Sequence, residues 1–312
     1  MSAARHQAVG FKALSRPRGS RVQRVTPQAI TSKRDLRKAQ PLWAGSPRSS
    51  VIARKTPRTR RYDVVIVGAG ISGALMANAL ADGKRSLLVI DRRGPVQGSS
   101  LASTAMIQHE IDVPLFELSR IIGKSRAERV WRRSVQAVEG LKTLADGLGI
   151  SCQFEEKKTL YLAGDAYGAR ALQEEKEART EAGLKAHYLD AADLGQSFGI
   201  DRRAAIVSDS SASTNPAQMT AGFLRDARKR GCEIVAGVEI TDLHAGDEVV
   251  LATSTGHLLL ARHVIFCTGY EFLKSLANKD HRIISTWAIA SRPGLKLPVW
   301  LTEFLVWEGA DP

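Results

Sequence analysis

The 312-residue chain is poor in cysteine. Cys152, Cys232 and Cys267 are far apart and form no CxxC pair. That spacing excludes a disulfide framework and a zinc site, and it reads as buried free thiols of a reducing compartment. Long apolar runs are lacking as well. No stretch of about 18 apolar residues occurs, so no membrane-spanning helix is predicted. The chain has no HExxH, no metal-ligand cluster and no Ser-His-Asp arrangement. Acidic residues are almost absent from the first 61 positions, where Asp35 stands alone among 16 Lys and Arg. The formal net charge of +13 therefore belongs to that tail, and the rest of the chain is nearly neutral. Residues 62–312 carry no basic footprint for nucleic acid.

Residues 1–61 are rich in Arg, Ser and Pro and have no sustained apolar periodicity, so they are expected to form a disordered basic tail. Three readings of this tail stay open. It fits an organelle transit peptide, a basic arm for an anionic partner, or an upstream stretch translated from an early start codon. The expected location is cytoplasmic, or an organelle if the tail is a transit peptide.

What is present begins at Tyr62. Residues 62–91 read as strand, glycine turn, helix, strand and acidic residue. Residues 64–67 are a β-branched apolar run, as expected of a parallel strand buried on both faces. Gly68, Gly70 and Gly73 follow at GxGxxG spacing. Gly68 permits the tight turn, Gly70 lets a pyrophosphate approach the backbone, and Gly73 lets the helix pack close to the strand. The helix starting near Ile71 and Ser72 directs its free N–H groups and positive dipole end at that phosphate. Leu75, Ala79 and Leu80 are its expected apolar face. Residues 87–90 form the second strand, and Asp91 closes it where a carboxylate can accept hydrogen bonds from a ribose.

Residues 91–105 form a loop of small and polar residues, in which Ser99, Ser100, Ser103 and Thr104 offer hydroxyls to phosphate or ribityl oxygens. Helices are expected at 114–122, 124–148, 167–182 and 191–198, and strands at 159–163 and 204–208. On the second helix Val130, Trp131, Val135, Val138, Leu141, Leu144 and Leu148 form an apolar stripe facing the core. Asn215-Pro216 opens a helix that runs to Arg230, since Asn caps well and Pro is tolerated at the first helical position. Short strands at 233–236, 239–243, 248–252 and 257–260 suggest a small antiparallel meander. Residues 261–271 then read as a further parallel strand of the first sheet, entering a tight turn. A last strand is expected at 285–291.

These residues together resemble the D-amino-acid oxidase / glycine oxidase / sarcosine oxidase superfamily of FAD-dependent oxidoreductases. Four pieces carry the resemblance over residues 62–312. The first is Val67-Gly-Ala-Gly70-Ile71-Ser72-Gly73, with Ala77 four residues on. The second is Asp91-Arg92 followed by the serine-rich loop. In the third, Asn215-Pro216 opens a helix leading through Gly231 to Val238, where the family contacts the adenine side of FAD by backbone. The fourth is the Cys267-Thr268-Gly269-Tyr270-Glu271 turn.

The resemblance implies an α/β fold: a Rossmann-like FAD-binding domain with a parallel sheet, built from 62–108 and 216–278. Interleaved with it is an α+β substrate domain, built from 109–215 and 279–312. It implies FAD extended over residues 68–73, Asp91, Arg92, Ser99, Ser100, Ser103, Thr104, Val238, Thr268 and Gly269. The implied activity is oxidation of the C–N bond of an amine or amino acid, with oxygen or a quinone as electron acceptor. Two alternatives stay open, another flavoprotein reductase or hydroxylase, and a catalytically incomplete flavin-binding fragment. Family members continue with an Arg-bearing strand and a glycine-rich segment past the point where this chain stops, so the substrate domain is expected to be incomplete and the chain truncated. No residue is assigned as catalytic. His109, Arg120, Tyr161 and Trp287 lie near the expected substrate domain and read as structural, as do His257 and His263 in their strands.

Overall fold

The computed structural model describes residues 41–271, 273 and 296–309. The fold opens with β1 (Arg61–Val67), α1 (Ile71–Leu80), β2 (Leu87–Asp91) and a two-residue strand, β3 (Met106–Ile107). Next come α2 (Leu115–Ile122), α3 (Lys124–Gly147), β4 (Glu155–Leu162), α4 (Ala169–Glu181) and β5 (Ala186–Asp190). They lead into α5 (Ala191–Phe198), β6 (Ala204–Ser213), α6 (Pro216–Lys229) and β7 (Glu233–Ala236). Strands β8 (Ile240–Ala245), β9 (Val249–Thr253), β10 (Leu258–Phe266) and β11 (Phe304–Glu308) follow.

Two sheets organise these elements. The first has six strands in the order β7-β2-β1-β10-β9-β8. Its first four strands are mutually parallel, and β9 and β8 are added antiparallel. The apolar run of β1 places it at the centre, with Val65 and Ile66 fully buried. One face of this sheet packs Val64, Ile66, Leu87 and Val89 against Ala74 and Ala77 of α1 and Phe223 and Leu224 of α6. The other face packs Val65, Leu88 and Ile90 against Ile240, Leu251 and Leu259 from the β8–β10 meander. The second sheet runs β11-β4-β6-β3, with β5 also paired to β6.

Local signals explain several boundaries. The Asn215 carboxamide oxygen accepts hydrogen bonds from the Ala217 and Gln218 amides at 3.2 and 3.1 Å, capping α6. Asp190 and Asp193 form a capping box at the start of α5, and Gly199 ends that helix in the left-handed conformation.

Four expectations need correction. The buried face of α1 is Gly73, Ala74, Ala77 and Asn78, while Ala79 is exposed and Leu75 and Leu80 are only partly buried. The helix lies so close to the sheet and to α6 that only small side chains fit between, and Asn78 donates to Asp226 of α6 at 2.8 Å. On α3 the core takes Ala127, Trp131, Val138 and Ala145, while Val130, Leu144 and Leu148 are exposed. The four strands expected as a meander divide differently. β7 pairs in parallel with β2 at the edge of the sheet, and β10 is one continuous strand from Leu258. The polar pair Arg262-His263 resembles a break. It marks the end of the neighbour β9, whose last pairing is Val249 with Ala261, while β10 continues along β1.

The fourth correction concerns residues 41–61, which are ordered against the fold rather than part of a disordered tail. Arg54 bridges Val235 in parallel, and the Arg54 amide and carbonyl bond Ile234 and Ala236 at 2.8 and 2.9 Å. The free edge of β7 supplies these partners, and composition carries no trace of such an edge. The expected strand at 285–291 and residue Trp287 lie outside the described residues.

Candidate cofactor site

The glycine turn joins β1 to α1, and packing of the fold requires two of its three glycines. Gly68 has φ +111°, and a Cβ there would lie 2.4 Å from the Cys267 carbonyl oxygen. A Cβ on Gly73 would lie 1.9 Å from the Gly68 carbonyl oxygen. Backbone packing alone therefore dictates both. Gly70 differs. Its backbone is extended, with φ −82° and ψ −170°, and any residue can adopt that conformation. A Cβ there would meet only the Ser100 hydroxyl, at 3.1 Å. The bare backbone of Gly70 thus faces out of the protein's own packing, at the head of α1.

No side chain of Gly70 caps that helix. Instead the Ser100 hydroxyl accepts the Ile71 amide at 3.0 Å. The first-turn amides of a helix have no carbonyl partners within it, and together with the dipole they favour an anion. Ser72 lies exposed on this first turn.

Asp91 is the hub of the site. One carboxylate oxygen accepts the Ala69 amide of the glycine turn at 2.8 Å. The other accepts the Arg93 and Gly94 amides, both at 2.8 Å. The Asp91 carbonyl accepts the Gly237 and Val238 amides at 2.9 and 3.3 Å, tying in the segment after β7. Val238 is buried and its N–H is committed to Asp91. Arg92 is held in ion pairs with Glu271 and Glu239, and Arg93 also reaches Glu271. That clamp joins the loop after β2 to the turn after β10, which contains Thr268 and Gly269.

The serine loop lies between these two turns. Ser99 is exposed, and its hydroxyl stands 3.6 Å from where a Cβ on Gly269 would be. Ser100 is buried over Gly70. The Ser103 hydroxyl accepts the Ala105 amide at 3.0 Å, and Thr104 is exposed. Two non-glycine residues at the ends of this loop are left-handed, Val96 with φ 61° and Ala105 with φ 66°. Such conformations cost on the order of 1–3 kcal/mol each and persist only where surrounding contacts impose them.

The structure thus gathers the glycine turn, Asp91, the serine loop, Val238 and the Thr268-Gly269 turn at one end of the parallel sheet. Sequence reasoning missed the Ala69 amide, the strained residues Val96 and Ala105, and the carboxylate of Glu271. Only Glu271 carried a readable signal, as an acid at the end of a small-residue turn. Burial pushes the Cys267 thiol up and the Cys232 thiol up to about 12, so neither is a thiolate at neutral pH.

On the second sheet, His109 is buried with its ring 3.5 Å from Glu110 and 3.4 Å from the Ser211 hydroxyl. Arg179 is fully buried between Glu175 at 2.7 Å and Glu110 at 3.3 Å, over the Trp131 ring at 4.6 Å. Tyr161 stacks flat on Trp307 with centroids 3.8 Å apart, and Arg120 pairs with Glu174 at the surface. The buried groups pair only in part, since Glu110 Oε2, Arg179 Nη2, Trp131 Nε1 and Trp307 Nε1 have no hydrogen-bond partner. Among the described residues no group of His, Cys, Asp or Glu could hold a metal ion, and no helix is long and apolar enough to cross a membrane.

The parallel sheet, the glycine turn at its carboxyl end and the carboxylate beside it define a dinucleotide-binding α/β protein. Within that class, the chain belongs to the FAD-dependent oxidoreductase (DAO) family, whose pattern matches residues 63–297. Family members depend on FAD, and the residues present here fit it, since Gly70 leaves bare backbone at a helix N-terminus next to Asp91. YhfW of Bacillus subtilis (strain 168), provisionally named a Rieske 2Fe-2S iron-sulfur protein, is 22% identical over 238 residues, 76% of this chain and 46% of that protein. Glycine oxidase from Geobacillus kaustophilus superimposes with a TM-score of 0.56 at 20% identity, over 67% of this chain and 55% of that one. L-Amino acid deaminase from Proteus myxofaciens in complex with anthranilate gives 0.55 at 16% identity, over 69% and 47%. At these identities the likeness is one of fold. The chain spans about half the length of the relatives it matches.

Proposed function

We propose that this chain carries the FAD site and part of the substrate-facing domain of an oxidoreductase acting on the C–N bond of an amine or amino acid. The carrying observation is the bare Gly70 backbone at the head of α1, flanked by Ser100 and Asp91. That arrangement suits a pyrophosphate on residues 68–73 with a ribose beside the Asp91 carboxylate. In this reading Ser99, Ser100, Ser103 and Thr104 border the phosphate and ribityl oxygens. The Val238 carbonyl lies on the adenine side, and Thr268 and Gly269 lie on the flavin side. Arg92 acts through its ion pairs, which hold two of these loops together. FAD supplies the hydride-accepting chemistry when bound. The protein's own groups orient it, neutralise the phosphates with amides, and fix the loops around it.

The amine or amino-acid substrate rests on the names of the structural neighbours, several of which are amino-acid oxidases or deaminases. Residues 62–108 with 216–278 form the cofactor half of the proposal, and 109–215 with 279–312 the substrate half. Reconstitution with FAD followed by anaerobic titration with a panel of amino acids and amines tests it. Bleaching of the flavin absorbance by one of them is the expected outcome. Bleaching only by a nicotinamide cofactor would move the chain to the reductases or hydroxylases.

A further inference from the structure

The chain preceding β1 reaches the cofactor loop. Residues 41–60 are anchored along α6 and β7 by contacts that do not involve the serine loop. Asn215 donates to the Ser46 hydroxyl at 3.1 Å, Gln218 to the Pro47 carbonyl at 3.0 Å, and Arg225 to the Arg48 carbonyl at 2.7 Å. Arg54 then locks the strap to the edge of β7. From this fixed strap two side chains meet the loop: Val51 packs against the Val96 cluster, and Trp43 both packs and hydrogen-bonds there. The Trp43 indole N–H donates to the Ser103 carbonyl at 2.9 Å. Its ring packs in a small apolar cluster with Val51, Val96, Leu101, Ala217 and Ala221.

Val96 and Ser103 are near the two ends of the loop that places Ser99 and Ser100. Val96 is a β-branched residue held left-handed, and the Val96 amide bonds the Ala69 carbonyl of the glycine turn at 3.0 Å. A strained conformation of this kind needs outside contacts to hold it. Trp43 supplies two of them, a packed ring near Val96 and a hydrogen bond at Ser103.

We propose that Trp43 is a positioning residue for the cofactor, holding the 96–105 loop in the form that presents Ser99 and Ser100 to the phosphate and ribityl oxygens of FAD. This rests on the FAD reading above and extends it to a segment outside the family match. Physically, a ligand that binds only the ordered loop sees an affinity reduced by whatever fraction of the loop is disordered. Trp43 raises the ordered fraction before FAD arrives.

The test uses the full chain with Trp43→Ala, Trp43→Phe and, as a control, Leu42→Ala, whose side chain is 71% exposed. FAD affinity is measured by quenching of flavin fluorescence, and amide hydrogen exchange is followed in the apoprotein. Trp43→Ala should weaken FAD binding about tenfold, the scale of losing one hydrogen bond and one packed ring. It should also speed exchange across 96–105 while peptides from β4 and β6 stay unchanged. Trp43→Phe keeps the packing and loses the bond, so it should fall between, and Leu42→Ala should match the wild type. Faster loop exchange with unchanged FAD affinity in Trp43→Ala overturns the positioning role, as does unchanged loop exchange. A wild-type chain that takes up no FAD overturns the cofactor reading instead, while the exchange measurement still decides whether Trp43 holds the loop.

Discussion

The glycine turn and the buried cluster around Arg179 are both closely built, but in opposite currencies. In the turn, backbone meets backbone, and a single methyl at Gly73 would sit 1.9 Å from a carbonyl oxygen. Such contacts restrict residue type absolutely, so the turn leaves a pattern in the sequence. In the Arg179 cluster, side chains meet side chains. Glu110 lies between β3 and α2, Ser208 is on β6 and Trp131 on α3, while Glu175 shares α4 with Arg179, and many other residue sets would fill the same volume. Only the Glu175–Arg179 pair, at i,i+4 on α4, follows a spacing rule, and the other partners follow none. The difference teaches that a site made by backbone approach is readable from the chain, and one made by converging side chains is not.

Substitutions sharpen that contrast. The largest effect is expected from Arg179→Met, which leaves two buried carboxylates without their cation and should cost about 3–5 kcal/mol in a denaturant titration. If the variant is as stable as the wild type, the cluster is not an ion-paired core and the comparison breaks. Gly73→Ala should come next, at about 3 kcal/mol or insoluble expression, since neither neighbouring backbone can yield cheaply. Gly70→Ala is the discriminating change. Stability should shift by less than about 1 kcal/mol, because its backbone is ordinary and only a hydroxyl is near. FAD affinity should nevertheless fall by more than about tenfold, as for any group forced between the turn and a phosphate. Equal losses of stability at Gly70 and Gly73 would remove the distinction drawn between them.

Smaller effects come from the second sheet and the loop. Burial, more than any neighbouring charge, holds the His109 pKa below its usual value. Glu110 and Asp209 oppose that shift, and Arg179 reinforces it. A base with a lowered folded pKa binds fewer protons folded than unfolded. Its stability contribution is therefore complete above the unfolded value near ~6.5 and is lost as pH falls from there through the folded one. Thermal melts across this window should show that loss in the wild type and a flatter profile in His109→Gln. Least of all, Ala105→Gly should stabilise the apoprotein by up to about 1 kcal/mol by relieving a left-handed alanine. A destabilised variant would mean the φ of 66° carries no strain.

Much of the fold was legible where short-range rules act. β1, β2, α6 and β7 follow from apolar runs, an Asn-Pro start and glycine stops. Elements that depend on distant partners were not. The two residues of β3 are a strand only because Ser213 and Ala212 of β6 lie opposite them. Strand β5, with alternating burial too weak to read, exists by pairing with β6. The face of α1 was misjudged because large apolar residues usually point inward, whereas here the closeness of α6 reserves the inside for glycine and alanine.

The sequence by itself determined the glycine turn and the acidic residue closing β2. Their spacing is set by the reach of one strand–turn–helix–strand unit, and local backbone geometry allows few residues there. The tertiary structure alone decided how Asp91 is spent, how Arg92 and Glu271 join two loops, and that residues 41–60 belong to the fold. Each of those depends on groups distant in the chain meeting in space, down to the free edge of β7 that gives Arg54 its partners and the Ser103 carbonyl that gives Trp43 its own.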